Sequence, residues 1–352
     1  AAAAAAAASA ASAKVTVSGL SAGSYMASQY QMAFSDEVSG AALYAGGPFP
    51  CAKGSISEAL TTCMSASPRG PNVGELTERA RNMATNGLIA PIANVASHRA
   101  YVFGGARDSV VVPAVVQAQA EQLAALGVTG DALVHKADLQ AEHCFPTDTC
   151  CKACTSLASP YINNCNYDAA SESLTHITGL AQPSVSPVVL HLYVLDIKDL
   201  TPSGAQPATL SLADRFFVYV PEACWDAECP LHMSLHGCNQ LYTTIGTDYV
   251  MRTGEAGWME ANGVIGLFPQ AVAKAAVNPN GCFDWWGYLN TNYASRSAPQ
   301  MVTMRNALQL LADVAERQSK LEPYESGVST VVDADADADA AVVDADAAIG
   351  AQ

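Results

Sequence analysis

Short apolar runs alternate with longer amphipathic segments along most of this chain. The runs predict β-strands at residues 14–20, 41–45, 99–104, 132–136, 188–195, 214–221, 232–235 and 264–269. Apolar periodicity predicts helices at residues 22–34, 114–126, 246–261 and 300–319. Strands that alternate with helices are typical of an α/β fold with a mostly parallel central sheet flanked by helices, and we expect antiparallel pairing among the strands between 188 and 221. No internal repeat or linker divides the sequence, so a single domain is expected.

The two ends of the chain do not share this pattern. Residues 1–13 contain only alanine and serine, and residues 331–352 largely alternate aspartate with alanine. Such segments bury little apolar surface, so we expect tails at residues 1–13 and 326–352 around a folded domain of residues 14–325. The aspartates lack the glycine-rich loop and the closing glutamate of a calcium site.

Composition narrows the classes of partner. The chain has 352 residues, of which half are hydrophobic and 14% are charged, with a formal net charge of −16. An acidic surface repels nucleic acid and anionic membranes, so neither is expected as a partner. No apolar run reaches the roughly 18 residues that a membrane span needs. We therefore expect a soluble monomer. The acidic charge does not exclude an uncharged substrate.

The eleven cysteines indicate an oxidising compartment, because disulfides persist there and no complete zinc-ligand pattern is present. We expect an extracellular protein, with the periplasm as the alternative. The cysteines suggest three local disulfides: Cys51 with Cys63, Cys224 with Cys229, and Cys238 with Cys282. The CxxC spacing at residues 151–154 has no second ligand pair, so no metal is expected. Because eleven is an odd number, at least one cysteine must keep a free thiol or form a disulfide with another chain.

A nucleophile motif stands close to the start of the chain. Residues 17–26 read VSGLSAGSYM, which contains G-x-S-x-G around Ser21. In α/β-hydrolases this turn presents a nucleophilic serine between a strand and a helix, as the predicted elements do here. Serine needs a histidine base that is oriented by a carboxylate. Asp108 after strand 99–104 and His143 after strand 132–136 are the predicted partners, because both follow strands at the edge where ligand-facing loops converge.

The strands that normally precede such a serine come after it. Acyl transfer needs two N–H donors for the oxyanion, and Ala22 can supply one of them. The other usually comes from an HGG-type loop on a strand before the nucleophile. Here strand 232–235 precedes His236-Gly237-Cys238, about two hundred residues too late. Because domain termini often lie close together at the surface, the two halves of a chain can exchange order. The sequence predicts a circularly permuted α/β-hydrolase fold.

Six sequence blocks resemble a known family: GLSAGSYMA, AGGPFPC, HCFPTD, SPYINNCNYD, SLHGCNQ and NPNGCFDWWGY. Together they resemble the extracellular polyhydroxybutyrate depolymerases of the single-domain, circularly permuted type, over about residues 14–320. The resemblance implies a secreted serine esterase that cleaves a water-insoluble polyester of short 3-hydroxyacids, through an acyl-enzyme and without a cofactor. It implies that Ser21 is the nucleophile, Asp108 the acid and His143 the base, with the N–H groups of Ala22 and Cys238 as the oxyanion hole.

The resemblance also implies finer details. It supports a disulfide between Cys238 and Cys282, and it favours one between Cys154 and Cys165. Cys144 would then bridge to Cys150 or Cys151, leaving one thiol unpaired. Trp285 would lie along the substrate crevice, within an exposed aromatic strip that includes Trp286, Phe283 and Tyr288, and Tyr25 would lie near its mouth. Packing in the core or in loops is the alternative for these aromatic residues.

Two other functions remain open from the sequence. A small-ester hydrolase of the same fold, such as a feruloyl or acetylxylan esterase, has a similar HGC-type loop. A non-catalytic polymer-binding protein could keep the disulfide-stabilised fold without turnover. Release of soluble monomer and dimer from a polymer film distinguishes the depolymerase from both.

Overall fold

The computed structural model describes residues 15–325. The strands, numbered along the chain, are β1 (Val15–Leu20), β2 (Val38–Tyr44), β3 (Arg99–Phe103), β4 (Leu133–Lys136), β5 (Phe145–Thr147), β6 (Lys152–Ala153), β7 (Ile162–Asn164), β8 (Leu192–Asp196), β9 (Arg215–Tyr219), β10 (Leu231–Leu235), β11 (Ile265–Phe268) and β12 (Leu321–Pro323). The α-helices are α1 (Ala22–Ala33), α2 (Ile56–Leu60), α3 (Val73–Thr85), α4 (Pro113–Ala125), α5 (Ala169–Thr178), α6 (Tyr242–Ile245), α7 (Asp248–Arg252), α8 (Glu255–Asn262), α9 (Pro299–Ala312) and α10 (Val314–Lys320). The tails expected at residues 1–13 and 326–352 lie outside the described residues.

One large sheet has the strand order β12-β8-β9-β11-β10-β1-β2-β3-β4. The strands from β11 to β4 run parallel, whereas β9, β8 and β12 pair antiparallel. The mostly parallel α/β fold and the antiparallel pairing between residues 188 and 221 are therefore confirmed. Strand β1, which leads to Ser21, lies inside the sheet, and every strand on its β10 side comes later in the chain. This order confirms the predicted circular permutation.

Apolar side chains fill both faces of this sheet, because alternate residues of a strand point to opposite faces. On one face Val17 and Met233 belong to a core that also includes residues of α1 and α9. On the other face Leu20 and Tyr44 belong to a core with residues of α5 and α8. Every residue of α1 is buried. Helices on both faces leave the strand ends as the part of the sheet where a small molecule or polymer can approach Ser21.

Two predicted helices are each divided into shorter ones. The segment 246–261 contains α7 and α8, because Gly254 between them adopts a φ of 90°, which a helix does not allow. The segment 300–319 divides at Asp313, whose backbone is extended and whose side chain accepts a hydrogen bond from the Glu316 N–H at the start of α10. Both breaks come from single residues inside an otherwise continuous helical pattern.

Several elements were not predicted from the sequence. Helix α3 begins after Asn72, whose side chain accepts from the Glu75 N–H, and α5 begins after Asp168, whose side chain accepts from the Ser171 N–H. Gly179 ends α5 in the left-handed region. These capping residues were visible signals of helix ends. A small sheet of order β5-β7-β6 directly follows His143.

Candidate active site

The backbone at Ser21 is strained. Its φ is 56° and its ψ is −120°, which are unusual values for a residue with a side chain. Such a conformation costs roughly 1–3 kcal/mol and persists only where the surroundings hold it. Here the Ser21 N–H donates to the Tyr44 carbonyl at 2.9 Å, and α1 begins at the next residue. Ser21 therefore lies on a sharp turn between β1 and α1, as the sequence predicted.

Strand register brings the loop after β10 beside this turn. Gly19 is paired with Leu235 in the parallel ladder, so Ser21 and Gly237 each follow two residues later. A Cβ built on Gly237 would lie 3.2 Å from the Cβ of Ser21. The His236-Gly237-Cys238 segment is thus adjacent to the serine, although about two hundred residues separate them in sequence.

His236 fixes the loop from within the core. The Ala271 N–H donates to its Nε2 at 3.1 Å, so the ring proton lies on Nδ1, which donates to the Gly237 carbonyl at 2.7 Å. Burial lowers the pKa of His236 to about 4, so the ring is neutral near pH 7. The Cys238–Cys282 disulfide ties the same loop to the NPNGC segment.

Asp108 and His143 form a hydrogen-bonded pair. The Asp108 Oδ2 and the His143 Nδ1 are 2.8 Å apart, and both residues are buried. The other carboxylate oxygen accepts from the N–H groups of Val110 and Val111, at 2.9 and 2.8 Å. With Nδ1 bonded to the carboxylate, the His143 Nε2 is the nitrogen left to accept a proton. The acid and the histidine that sequence reasoning paired are therefore in contact.

Close backbone packing holds the loops of the acid and the histidine together. A Cβ built on Gly105 would lie 2.3 Å from the Ala141 carbonyl oxygen. The Arg107 N–H donates to the same oxygen at 3.0 Å, and the Ala106 N–H donates to the Leu139 carbonyl at 2.8 Å. The loops after β3 and β4 are thus packed directly against each other.

Glu142 adds a contact that sequence reasoning missed. Its Oε1 accepts from the backbone N–H of Ser109 at 2.7 Å, from the Ser109 hydroxyl at 3.0 Å, and from the His143 N–H at 2.9 Å. One carboxylate oxygen therefore joins the residue after Asp108 to His143 itself. The only signal in the sequence was its position directly before the histidine.

The aromatic residues near Trp285 are less exposed than the sequence suggested. Tyr25 and Trp285 stack with ring centroids 4.0 Å apart, and only 4% and 6% of their surfaces are exposed. Phe283 is fully buried against His236. The expectation of an exposed strip is therefore wrong for Phe283 and Trp285, and Tyr25 is buried as well, while Trp286 and Tyr288 are partly exposed. Contacts of Trp285, Trp286 and Tyr25 with substrate remain a prediction.

Asp284 shapes the loop that carries these tryptophans. Its Oδ1 accepts from the N–H groups of Gly287 and Tyr288, at 2.7 and 2.9 Å, and its Oδ2 accepts from the Leu289 N–H at 3.1 Å. Burial raises the pKa of Asp284 to about 6, although these N–H groups favour the ionised form. The carboxylate therefore organises a turn at the aromatic segment.

Four predicted disulfides are present: Cys51–Cys63, Cys154–Cys165, Cys224–Cys229 and Cys238–Cys282. The expected bridge from Cys144 to Cys150 or Cys151 is wrong. Cys150 and Cys151 are bonded to each other, and Cys144 is a buried free thiol. Burial raises the pKa of Cys144, so the thiol stays protonated and unreactive beside His143.

A second hydroxyl–imidazole–carboxylate cluster lies in the core. The Ser18 hydroxyl donates to Glu255 at 2.6 Å and lies 2.8 Å from the His232 Nε2, while Thr16 is 2.8 Å from the His232 Nδ1. The side chains of His232 and Glu255 have no exposed surface, so no substrate reaches them. This cluster links β1, β10 and α8 through side-chain contacts.

Within residues 15–325, no three His, Cys, Asp or Glu side chains are grouped in a way that would hold a metal ion. In the same range, no helix combines the length and the apolar character that a membrane crossing requires.

A sheet of this order, with a serine on a strained turn at the C-terminal edge of its parallel strands, is the arrangement of an α/β-hydrolase, and the chain belongs to that class. Comparison with solved structures finds the PHB depolymerase from Penicillium funiculosum, with a TM-score of 0.76 and 30% identity over 87% of this chain and 96% of that one. A serine-to-alanine variant of a PHB depolymerase complexed with an R3HB trimer matches with a TM-score of 0.75 and 29% identity.

Comparison with curated proteins finds relatives with the same kind of name as these structures. A poly(3-hydroxybutyrate) depolymerase from Delftia acidovorans is 36% identical over 299 residues, which are 83% of this chain and 58% of that protein. A polyhydroxybutyrate depolymerase from Talaromyces funiculosus is 32% identical over 306 residues, which are 82% of this chain and 87% of that protein. No family model matches the chain. The chain belongs to the polyhydroxybutyrate depolymerase family, and it spans less than two thirds of the length of the Delftia relative.

Proposed function

We propose that this protein is a secreted serine esterase that hydrolyses poly(3-hydroxybutyrate)-type polyester to short hydroxyacid oligomers and monomers. The observation that carries the proposal is the position of four loops at one edge of the sheet. The strained turn at Ser21 lies against the loop of Cys238, and the bonded Asp108–His143 pair follows two neighbouring parallel strands that end at the same edge of the sheet. Acyl transfer needs a nucleophile, a base and an oxyanion site within reach of one carbonyl carbon.

In the proposed acylation step, His143 Nε2 removes the Ser21 proton as Ser21 Oγ attacks a backbone ester of the polymer. The negative charge that develops on the carbonyl oxygen is stabilised by the N–H groups of Ala22 and Cys238. The Ala22 N–H suits this role because it lies in the first turn of α1, where no helical partner satisfies it. Asp108 stabilises the His143 imidazolium, which then protonates the leaving alcohol.

In the proposed deacylation step, His143 activates a water molecule that attacks the acyl-enzyme at the same carbonyl carbon. Collapse of the second tetrahedral intermediate releases the hydroxyacid and returns the proton to Ser21 Oγ. Protein groups supply every proton transfer and every hydrogen bond in this scheme, so we propose that no cofactor takes part.

The substrate class is supported by the relatives and by the chain itself. The two curated relatives and the two similar solved structures are all named PHB or polyhydroxybutyrate depolymerases, and one of these structures is a complex with an R3HB trimer. A neutral polyester is not repelled by a chain of net charge −16. The five disulfides support the oxidising environment of a secreted protein. We propose that the enzyme acts as a monomer.

The test is hydrolysis of a turbid polyhydroxybutyrate suspension by the purified protein. The expected result is clearing, with soluble 3-hydroxybutyrate monomer and dimer as products, and complete loss of activity after an organophosphorus ester labels Ser21. Turnover of a soluble aryl ester without polymer clearing would instead assign a small-ester hydrolase. Absence of turnover of both substrates, together with absence of labelling at Ser21, would indicate a non-catalytic protein.

A further inference from the structure

Gln240 is a buried side chain in the loop between β10 and α6, two residues after Cys238. Only 1% of its surface is exposed. Its Oε1 accepts a hydrogen bond from the Gly237 N–H at 2.7 Å, and its Nε2 donates to the Pro160 carbonyl at 2.7 Å. The donor on one side and the acceptor on the other fix which end of the amide is oxygen and which is nitrogen.

These bonds complete the restraint of the Gly237 peptide groups. The Gly237 N–H is bound by Gln240, and the Gly237 carbonyl accepts from His236 Nδ1. In a trans peptide the carbonyl of one residue and the N–H of the next point in opposite directions. The His236 bond to the Gly237 carbonyl therefore fixes the direction of the Cys238 N–H, and the Gln240 bond holds the preceding peptide group, which is joined to it through the Gly237 Cα. Because the Gly237 N–H already donates to Gln240, it is not available to donate to the oxyanion.

The other end of Gln240 reaches the segment that follows the catalytic histidine. Pro160 precedes Tyr161, whose carbonyl accepts from the Phe145 N–H at 2.8 Å. Phe145 is two residues after His143. A short chain of hydrogen bonds thus joins the loop of Cys238 to the segment of His143, through the buried side-chain amide of Gln240.

We propose that Gln240 is a positioning residue, which holds the Cys238 N–H in the orientation that binds the oxyanion and couples it to the His143 segment. The proposal rests on the acyl-transfer function proposed above. Removal of a whole oxyanion donor costs about 10²- to 10³-fold in kcat. Misdirecting a donor that is still present should cost less, so we expect about a 10- to 100-fold loss in kcat with KM changed by less than about threefold.

The experiment uses Gln240→Met, which keeps the length of the side chain and removes both hydrogen bonds. The matched control is Gln122→Met. Gln122 is equally buried, accepts from the Phe49 N–H and donates to the Phe49 carbonyl, in α4 and away from the loop of Cys238. Both variants lose two buried bonds to backbone, so a general loss of stability should affect them alike. Rates are measured with p-nitrophenyl butyrate, per active site titrated with an organophosphorus ester.

A second measurement separates positioning from stability. A trifluoromethyl ketone forms a tetrahedral adduct whose oxyanion occupies the same hole. We expect Gln240→Met to raise the inhibition constant of the ketone by the same factor by which kcat/KM falls. Gln122→Met should change neither the inhibition constant nor kcat/KM by more than about twofold. If Gln240→Met does not fold, Gln240→Glu serves in its place. It keeps an acceptor for the Gly237 N–H and loses the donor to Pro160, and we expect it to lower kcat and ketone binding together.

Several outcomes would overturn the proposal. Gln240→Met with a kcat within twofold of the unmodified enzyme would do so, as would a loss of kcat with unchanged ketone binding, or equal losses in the two methionine variants. Turnover of the soluble ester without polymer hydrolysis would refute the polyester substrate alone, and the role of Gln240 would stand on these rates. Absence of turnover and of labelling at Ser21 would refute both proposals.

Discussion

Gly23 and Leu235 are in direct backbone contact: a Cβ built on Gly23 would lie 2.0 Å from the Leu235 carbonyl oxygen. Gly23 is the second residue of α1, after Ser21, and Leu235 is the last residue before His236. Helix α1 therefore touches the end of β10 without any intervening side chain. This contact sets the spacing between the serine turn and the loop of Cys238.

Replacement of Gly23 with alanine should strongly destabilise the fold, because the new methyl group meets a backbone oxygen that cannot rotate away. We expect Gly23→Ala to lower the free energy of unfolding by about 3 kcal/mol or more. Gly74→Ala is the matched control, since Gly74 is the second residue of α3 and has only one atom, the Asn72 Oδ1 at 3.5 Å, near its Cβ position. The control should gain up to about 1 kcal/mol. Urea unfolding measures both, and equal midpoints would contradict the contact.

Two replacements of Ser21 separate catalysis from backbone strain. Ser21→Ala should abolish turnover and leave adsorption to polymer intact, because only the nucleophilic oxygen is lost. Ser21→Gly should also be inactive, but more stable than Ser21→Ala by about 1 kcal/mol, because glycine adopts a φ of 56° without strain. Product assays, adsorption to polymer powder and urea unfolding provide the measurements. Residual turnover by either variant would argue against Ser21 as the nucleophile.

Trp285→Ala should reduce polymer hydrolysis more than hydrolysis of p-nitrophenyl butyrate, because a long chain contacts more of the site than a small ester does. Rates are compared per titrated active site, since loss of the stack on Tyr25 also costs about 3–5 kcal/mol of stability. Trp286→Ala, at a partly exposed position, is the comparison variant. Equal losses on both substrates would count against a subsite at Trp285.

Glu142→Ala should lower kcat about 10-fold, because the Ser109 and His143 N–H groups lose their shared acceptor and the two loops separate slightly. Glu142→Gln keeps an oxygen acceptor and should retain most of the activity. Rates with a soluble ester test the pair. A larger loss in Glu142→Gln than in Glu142→Ala would show that the geometry of the acceptor is not what matters.

Acid should destabilise the folded state through His236. Burial lowers its folded pKa to about 4 from the ordinary 6.5, so between these values the unfolded chain binds a proton that the folded chain does not. Stability from this group is therefore complete above about pH 6.5 and is lost as the pH falls toward 4, by up to about 3 kcal/mol. His236→Gln cannot titrate, so its free energy of unfolding should fall less over this range. The prediction would be refuted if the free energy of unfolding fell equally with pH in the unmodified protein and in His236→Gln.

The sequence alone determined most strands of the central sheet and the residues of the candidate site. Strand and helix periods, the G-x-S-x-G turn and the late His236-Gly237-Cys238 segment sufficed to predict the permuted sheet. They also sufficed to pair Asp108 with His143. The positions of the cysteines, together with the resemblance to a known family, predicted four disulfides. These features depend on patterns within a few residues, or on motifs whose chemistry restricts their position in a known fold.

Only the tertiary structure decided which side chains are buried and which partners they bind. It paired Cys150 with Cys151 and left Cys144 free, buried Trp285 and Phe283, and brought Glu142 and Gln240 to the backbone groups they bind. The sequence did not predict these outcomes, because burial and hydrogen-bond partners depend on which segments pack together.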